Sequence, residues 1–160
     1  MIFITTGTQE PFDRLVKVAD EIAGVLPGVP FKVQAFTSIY KATHIEVTNF
    51  MTPVEFEENL KNASLIISHA GMGTIISALV NLKPIIVMPR MMKYKEHRNE
   101  HQFATAKKLD ALRYIDVAYD EEELRQKVLE MWPDNLRCLH QVGKFASKQL
   151  IDSLQSFIKD

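Results

Sequence analysis

The sequence holds a single cysteine, Cys138, which excludes an internal disulfide and a thiolate metal cluster and fits a reducing compartment. It has no excess of charge of one sign. With 19 Lys and Arg against 20 Asp and Glu, the formal net charge is -1, so no whole-chain positive field draws in nucleic acid or anionic lipid. Long hydrophobic runs are missing as well. Leu65-Ile66-Ile67 and the stretch from Pro84 to Pro89 are strand-sized, far below the roughly 20 residues of a membrane span, so no direct membrane insertion is expected. Residues 1 to 7 lack the basic leader and cleavage site of a secretory signal, which makes the cytoplasm the expected location. What is present, 160 residues with 46% hydrophobic and 24% charged, is a globular composition, read as one domain over 1–160 without repeats or low-complexity tracts.

Strand-like apolar runs alternate with helix-period stretches, and Gly or Pro marks most changes of period, the rhythm of parallel strands joined by crossover helices. Strands are predicted at Ile2–Thr5, Phe31–Phe36, Ile45–Val47, Leu65–His69, Pro84–Met88 and Arg113–Val117. The predicted helices start near Phe12, at Pro53 behind a Thr52 cap, at Ile75, at Asn99, near Glu121 and near Leu139; the last runs to Ile158 with an apolar stripe. In the helix after Thr52, Val54, Phe56 and Leu60 supply the apolar positions. The fold class read from this is α/β, a single Rossmann-like, doubly wound parallel sheet of about six strands.

In such a sheet a ligand sits beyond the carboxyl ends of the strands. Two loops there have suitable residues. Thr6-Gly7-Thr8-Gln9 follows the first strand, and Ser68-His69-Ala70-Gly71-Met72-Gly73-Thr74 follows the fourth, just before a helix whose free N–H groups favour an anion. Together they describe a diphosphate cradle; the plainer reading is that Gly71 and Gly73 only permit a sharp turn, and that His69 is a core histidine. Neither loop is a full G-x-G-x-x-G or a P-loop, so NAD and ATP lose ground. A basic stretch, residues 90–102, has four Lys or Arg against two Glu and borders the same mouth. Its His97-Arg98-Asn99-Glu100-His101 matches the zinc pattern H-x-x-E-H, but the parallel-sheet context argues against a metalloprotease. There is no D-x-D pair to hold a divalent metal on a nucleotide sugar. Met88 is expected in the core, and Met91 and Met92 at a partner contact.

Taken in order, Ile2 to Gln9 with Pro11 to Leu15, Ser68 to Thr74, Lys83 to Arg90, and Glu96 to Asn99 with His101-Gln102 resemble the C-terminal domain of family 28 glycosyltransferases. The resemblance is closest to the stand-alone form, the soluble subunit of two-part transferases: PssE-like subunits of bacterial exopolysaccharide synthesis and the catalytic subunit of the dolichol-linked N-acetylglucosaminyltransferase. It implies the donor-binding half of a GT-B enzyme, an inverting transferase moving a hexose or N-acetylhexosamine from a UDP-sugar to a lipid-linked acceptor, for exopolysaccharide or capsule synthesis. A membrane-anchored partner subunit would supply the acceptor half and hold this chain at the inner face of the membrane; no metal or other cofactor is implied. Self-association of the isolated chain stays open.

Carried over by position, the resemblance puts Gly7, Thr8, Gln9, Ser68, Ala70, Gly71, Met72, Gly73 and Thr74 around the diphosphate, and Asn49, Phe50 and Met51 against uracil. His101 and Gln102 fall at the donor sugar, and Arg90 at the departing UDP. The family commonly has a glutamate on the ribose where this chain has Ser77. The catalytic base is expected on the partner, with His69 as the fallback within this chain. A non-catalytic subunit that only holds UDP or another nucleotide is the alternative.

Overall fold

The computed structural model describes residues 1–143, 145 and 148. Six parallel strands form one sheet: β1 Ile2–Thr5, β2 Phe31–Gln34, β3 Val47–Thr48, β4 Leu65–His69, β5 Ile85–Met88 and β6 Asp116–Val117, in the order β3-β2-β1-β4-β5-β6. Among the described residues five α-helices accompany them: α1 Asp13–Val25, α2 Pro53–Asn62, α3 Met72–Val80 and α4 His101–Ala111 between strands, and α5 Glu121–Met131 after the last one. Strand order reverses between β1 and β4, and the loops leaving those two strands diverge to opposite faces, which opens the crevice where such sheets take ligands. This is the doubly wound α/β sheet that the alternation of periods implies.

Side chains alternate across each strand, so the central strands feed two separate cores. Ile2, Ile4, Leu65, Ile67, Ile86 and Met88 pack with Leu15, Val16, Ala19 and Ile22 of α1 and Leu124 and Val128 of α5. On the other face Phe3, Ile66, Ile85 and Val87 meet Leu60 of α2, Ile75, Ala78 and Leu79 of α3, and Ala106 of α4. Each fully buried Ile or Leu contributes about 2 kcal/mol of transfer free energy.

Local differences from the sequence expectation have identifiable causes. The second strand ends at Gln34, two residues short of Phe36, and the third is only Val47–Thr48, shifted from Ile45–Val47. The second strand stops where the Phe36 N–H turns to Thr6 Oγ1 and Thr37 adopts φ 51. The third is displaced because Asp20 of α1 captures the segment before it: its carboxylate accepts the N–H groups of Thr43, His44 and Ile45 and the hydroxyls of Thr43 and Tyr40. Helix α3 begins at Met72, not Ile75, with Gly71 as its cap, and ends before Leu82, which turns left-handed at φ 55 while the Lys83 N–H reaches back to the Ala78 carbonyl. The same device shortens the last strand. Arg113 at φ 55 and Tyr114, bonded to the Asp110 and Leu109 carbonyls, close α4, leaving only Asp116 and Val117 to pair.

Helix α2 starts as read, with a capping box in which the Thr52 hydroxyl accepts from the Glu55 N–H and the Glu55 carboxylate accepts from the Thr52 N–H. Val54 in it is exposed, however, because only Phe56 and Leu60 share the inward face. Helix α4 starts two residues late, since the Asn99 side chain takes the His101 N–H as a local turn. Met88 is buried as expected; Met91 is buried too, at 6% exposure, so it is not available as a contact residue, whereas Met92 is exposed. The expected C-terminal helix does not begin at Leu139: residues 139–143 are irregular, and the rest of that stretch lies outside the described residues.

Candidate functional site

The carboxyl ends of β1, β2, β4 and β5 open on a cavity of about 790 Å³, a volume suited to a ligand of nucleotide-sugar size. One wall is the loop after β1. Thr5 Oγ1 takes the Gly7 N–H at 3.2 Å, which folds the chain back on itself, and Gly7 sits at φ 78, a conformation glycine adopts without strain. The opposite wall is the start of α3. The first intrahelical bond there runs from the Ile75 N–H to the Gly71 carbonyl, so the N–H groups of Met72, Gly73 and Thr74 precede the helical ladder and give that end its positive polarity.

Gln34 ties the loop after β1 to the loop after β3. Its Oε1 accepts from the Thr5 hydroxyl at 2.6 Å, and its Nε2 donates to the Gly7 carbonyl at 3.1 Å and to the Asn49 carbonyl at 3.2 Å. A buried amide with its groups engaged in this way fixes the β1 loop against the loop after β3. Sequence reasoning did not single it out. The available signal was a glutamine at the carboxyl end of a strand, in the position that faces ligands in this fold.

Arg90, after β5, is 3% exposed. Its Nη2 donates to the Thr6 and Glu10 carbonyls at 2.7 and 2.5 Å, its Nε to the Pro11 carbonyl at 3.4 Å, and its guanidinium lies 4.9 Å from the Phe12 ring centre. Burial lowers its pKa to about 10, against the pull of Glu96 and Glu10, so the group stays charged at neutral pH. The hydrogen bonds of Nε and Nη2 hold the β1 loop, and Arg90 also lines the cavity, to which it brings its positive charge.

His69, at the end of β4, has its pKa lowered to about 4, first by burial and then by the charge of Arg90, with the Thr5 backbone pulling the other way. It is a neutral imidazole at physiological pH. Its Nδ1 is enclosed and has no hydrogen-bond partner.

Of the residues singled out in the sequence, the structure brings Gly7, Thr8, Gln9, Phe50, Met51, His69, Gly71, Gly73, Thr74, Arg90 and Gln102 to this cavity. Phe50, Met51, Pro53 and Phe56 form its apolar side, and Glu57, Glu10 and His97 complete the wall; Phe56, Glu57 and Glu10 carry no motif signal of their own, and His97 lies in a stretch read from the sequence for other reasons. The other residues named in the sequence stand outside the wall. The Asn49 carbonyl is taken by Gln34, the Ser68 hydroxyl donates to the His69 carbonyl at 2.9 Å, and Ala70 is buried. The Met72 side chain is exposed, Ser77 lies further along α3 with its carbonyl bonded by Asn81, and His101 is exposed at the start of α4.

The zinc pattern does not assemble. His97 precedes α4 and His101 opens it, so the two are not a helical i, i+4 pair, and among the described residues no group of three His, Cys, Asp or Glu could hold a metal ion. Among those residues, too, no helix is long and apolar enough to cross a membrane.

Residues 1–156 match the model of the glycosyltransferase family 28 C-terminal domain. The chain is 28% identical over 115 residues to the UDP-N-acetylglucosamine transferase subunit ALG13 of Cryptococcus neoformans, an alignment that takes in 71% of this chain and 56% of the fungal protein. Solved structures share the fold, two of them as follows. The NMR structure of ALG13 superposes with a TM-score of 0.56 at 18% identity, covering 96% of this chain and 93% of that one. The glycotransferase of kitacinnamycin gives 0.58 at 20% identity, covering 83% of this chain and 35% of that one.

Proposed function

From the premise that this chain belongs to the glycosyltransferase family 28 C-terminal domain family, we propose that it is the donor-binding, catalytic subunit of a two-part inverting glycosyltransferase. The reaction moves a hexose or N-acetylhexosamine from a UDP-sugar to a lipid-linked acceptor, in exopolysaccharide or capsule synthesis. The observation that carries the reading is the convergence, on one cavity, of the Gly7–Gln9 loop and the start of α3 with the apolar Phe50 and Met51. An anion-binding end beside an apolar end is what a nucleoside diphosphate requires. The name of the fungal relative makes UDP-N-acetylglucosamine the first donor to try.

In this reading the N–H groups of Gly73 and Thr74 and the hydroxyls of Thr8 and Thr74 receive the diphosphate, and uracil packs on Phe50 and Met51. Gln102, whose Oε1 accepts from the Arg90 N–H, presents its amide nitrogen to the donor sugar. As the bond from the anomeric carbon to UDP breaks, charge grows on the leaving diphosphate, and the helix end and the Arg90 field stabilise it without a metal ion. The base that deprotonates the acceptor hydroxyl comes from a membrane-anchored partner that also carries the acceptor, which places the working enzyme at the cytoplasmic face of a membrane.

Isothermal titration with UDP, UDP-N-acetylglucosamine, UDP-glucose, ADP and GDP, with and without magnesium, tests the donor site. Preference for uridine without magnesium supports the reading; equal affinity for ADP and UDP, or a strict need for magnesium, overturns it. Sugar transfer to a lipid-linked acceptor only when the partner subunit is added tests the division of labour.

A further inference from the structure

Three glycines stand in the cavity wall, and the space beside each differs. A Cβ built on Gly71 would lie 2.2 Å from His69 Nε2 and 2.7 Å from its Cε1. One built on Gly7 would lie 2.7 Å from Cε1 and 2.9 Å from Nε2 of the same ring. At Gly73 a Cβ would meet nothing within 4 Å. The backbone of Gly71, at φ -86 and ψ 122, is extended and open to any residue, so the demand for glycine there comes from the histidine. Gly7, at φ 78, needs glycine for its backbone as well. The imidazole therefore lies in the gap between two loops that leave different strands.

We propose that His69 is a positioning residue: its flat ring fills the gap between Gly7 and Gly71 and sets the separation at which the β1 loop and the start of α3 meet a nucleoside diphosphate. The proposal rests on the donor-binding reading and gives the cradle its internal spacer. The glycine at 71 then serves the histidine, and the glycine at 73 is the one left clear for a ligand. His69 is thereby removed from the role of catalytic base.

Thermal unfolding and UDP titration of G71A, H69A, H69Q and the double variant H69A/G71A test this. G71A forces a methyl group into the ring, so it should lower Tm by roughly 3–10 °C and weaken UDP binding about tenfold or more. In H69A/G71A the obstruction is gone, so Tm should recover relative to G71A while UDP affinity stays near that of H69A, a non-additivity in Tm that two unrelated sites would not show. H69Q, which keeps an uncharged planar group reaching the Nε2 position, should bind UDP within about threefold of the parent, and H69A about tenfold more weakly. A double variant whose Tm is no higher than that of G71A, or H69Q binding UDP as weakly as H69A, overturns the proposal. If the parent protein binds no UDP, the donor reading fails, while the Tm cycle still decides whether His69 spaces the two loops.

Discussion

Arg14 of α1 and Glu96, 82 positions later, meet in a two-pronged ion pair, Nε to Oε1 at 2.7 Å and Nη2 to Oε2 at 2.9 Å, with both side chains only about a tenth exposed. Glu96 Oε2 also accepts the Met91 N–H, and the Arg14 guanidinium sits 4.6 Å from the Tyr94 ring centre. The pair ties the basic segment after β5, which brings His97 to the cavity, to the first helix. Glu96→Ala leaves a partly buried guanidinium without its main partner and should cost about 3 kcal/mol in urea unfolding. A loss below about 1 kcal/mol would show that Glu121 and the Pro89 carbonyl, its remaining partners, suffice.

Asp20 is the anchor of the long β2–β3 connection, with five donors on one carboxylate. Burial alone would raise its pKa, but the N–H groups of Thr43 and His44 outweigh burial and hold it below the usual value of 3.8. Asp20→Asn replaces a charged acceptor by a group that points an N–H at those donors and should cost about 2–3 kcal/mol. Because the folded pKa is depressed, this stabilisation is full above pH 3.8 and is lost as pH falls through the lower folded value. Urea midpoints of D20N and the parent at pH 7 and pH 3 should therefore converge at the acidic end; a constant gap counts against this account.

The central strands and the two glycine loops could be read directly, because short buried apolar runs and strand-to-helix glycines leave a local imprint. Thr52-Pro53 likewise announced α2 through local chemistry, to which Glu55 adds the other half of a capping box. What could not be read depends on distant partners. β3 and β6 are short because Asp20 and the α4 terminus capture their flanks. Leu82 and Arg113 end helices in a conformation usually left to Gly or Asn, so neither position carried the usual stop signal. Arg90 looked like an anion ligand in a basic run, whereas its bonds go to carbonyls some 80 positions earlier. Gly71 looked like a residue for the ligand, and only the His69 ring shows what it accommodates.

His69 gives the folded protein an acid-sensitive term. Its pKa is 6.5 in the unfolded reference and about 4 in the folded chain, lowered chiefly by burial. Between those values the unfolded chain binds a proton at this ring and the folded chain does not, so stability falls as pH is lowered from 6.5 toward 4. The full difference amounts to about 3 kcal/mol. Urea unfolding at pH 7, 6 and 5 should show this slope in the parent and a shallower one in H69Q. Parallel slopes would mean that the ring titrates alike in both states.

Gly73 separates stability from binding. It is the second residue of α3, its backbone is helical, and an added Cβ would meet no protein atom within 4 Å. Alanine is the better helix former, so Gly73→Ala should raise stability by about 0.5 kcal/mol, or 1–2 °C in Tm. The added methyl group belongs to a residue of the cavity wall, at the helix end proposed to receive the diphosphate. UDP affinity should therefore fall about tenfold even as Tm rises, since a ligand bonded to N–H groups must approach the backbone closely. Paired calorimetric unfolding and UDP titration read both quantities on one sample. A stabilised G73A protein that binds UDP as well as the parent would move the diphosphate away from the start of α3.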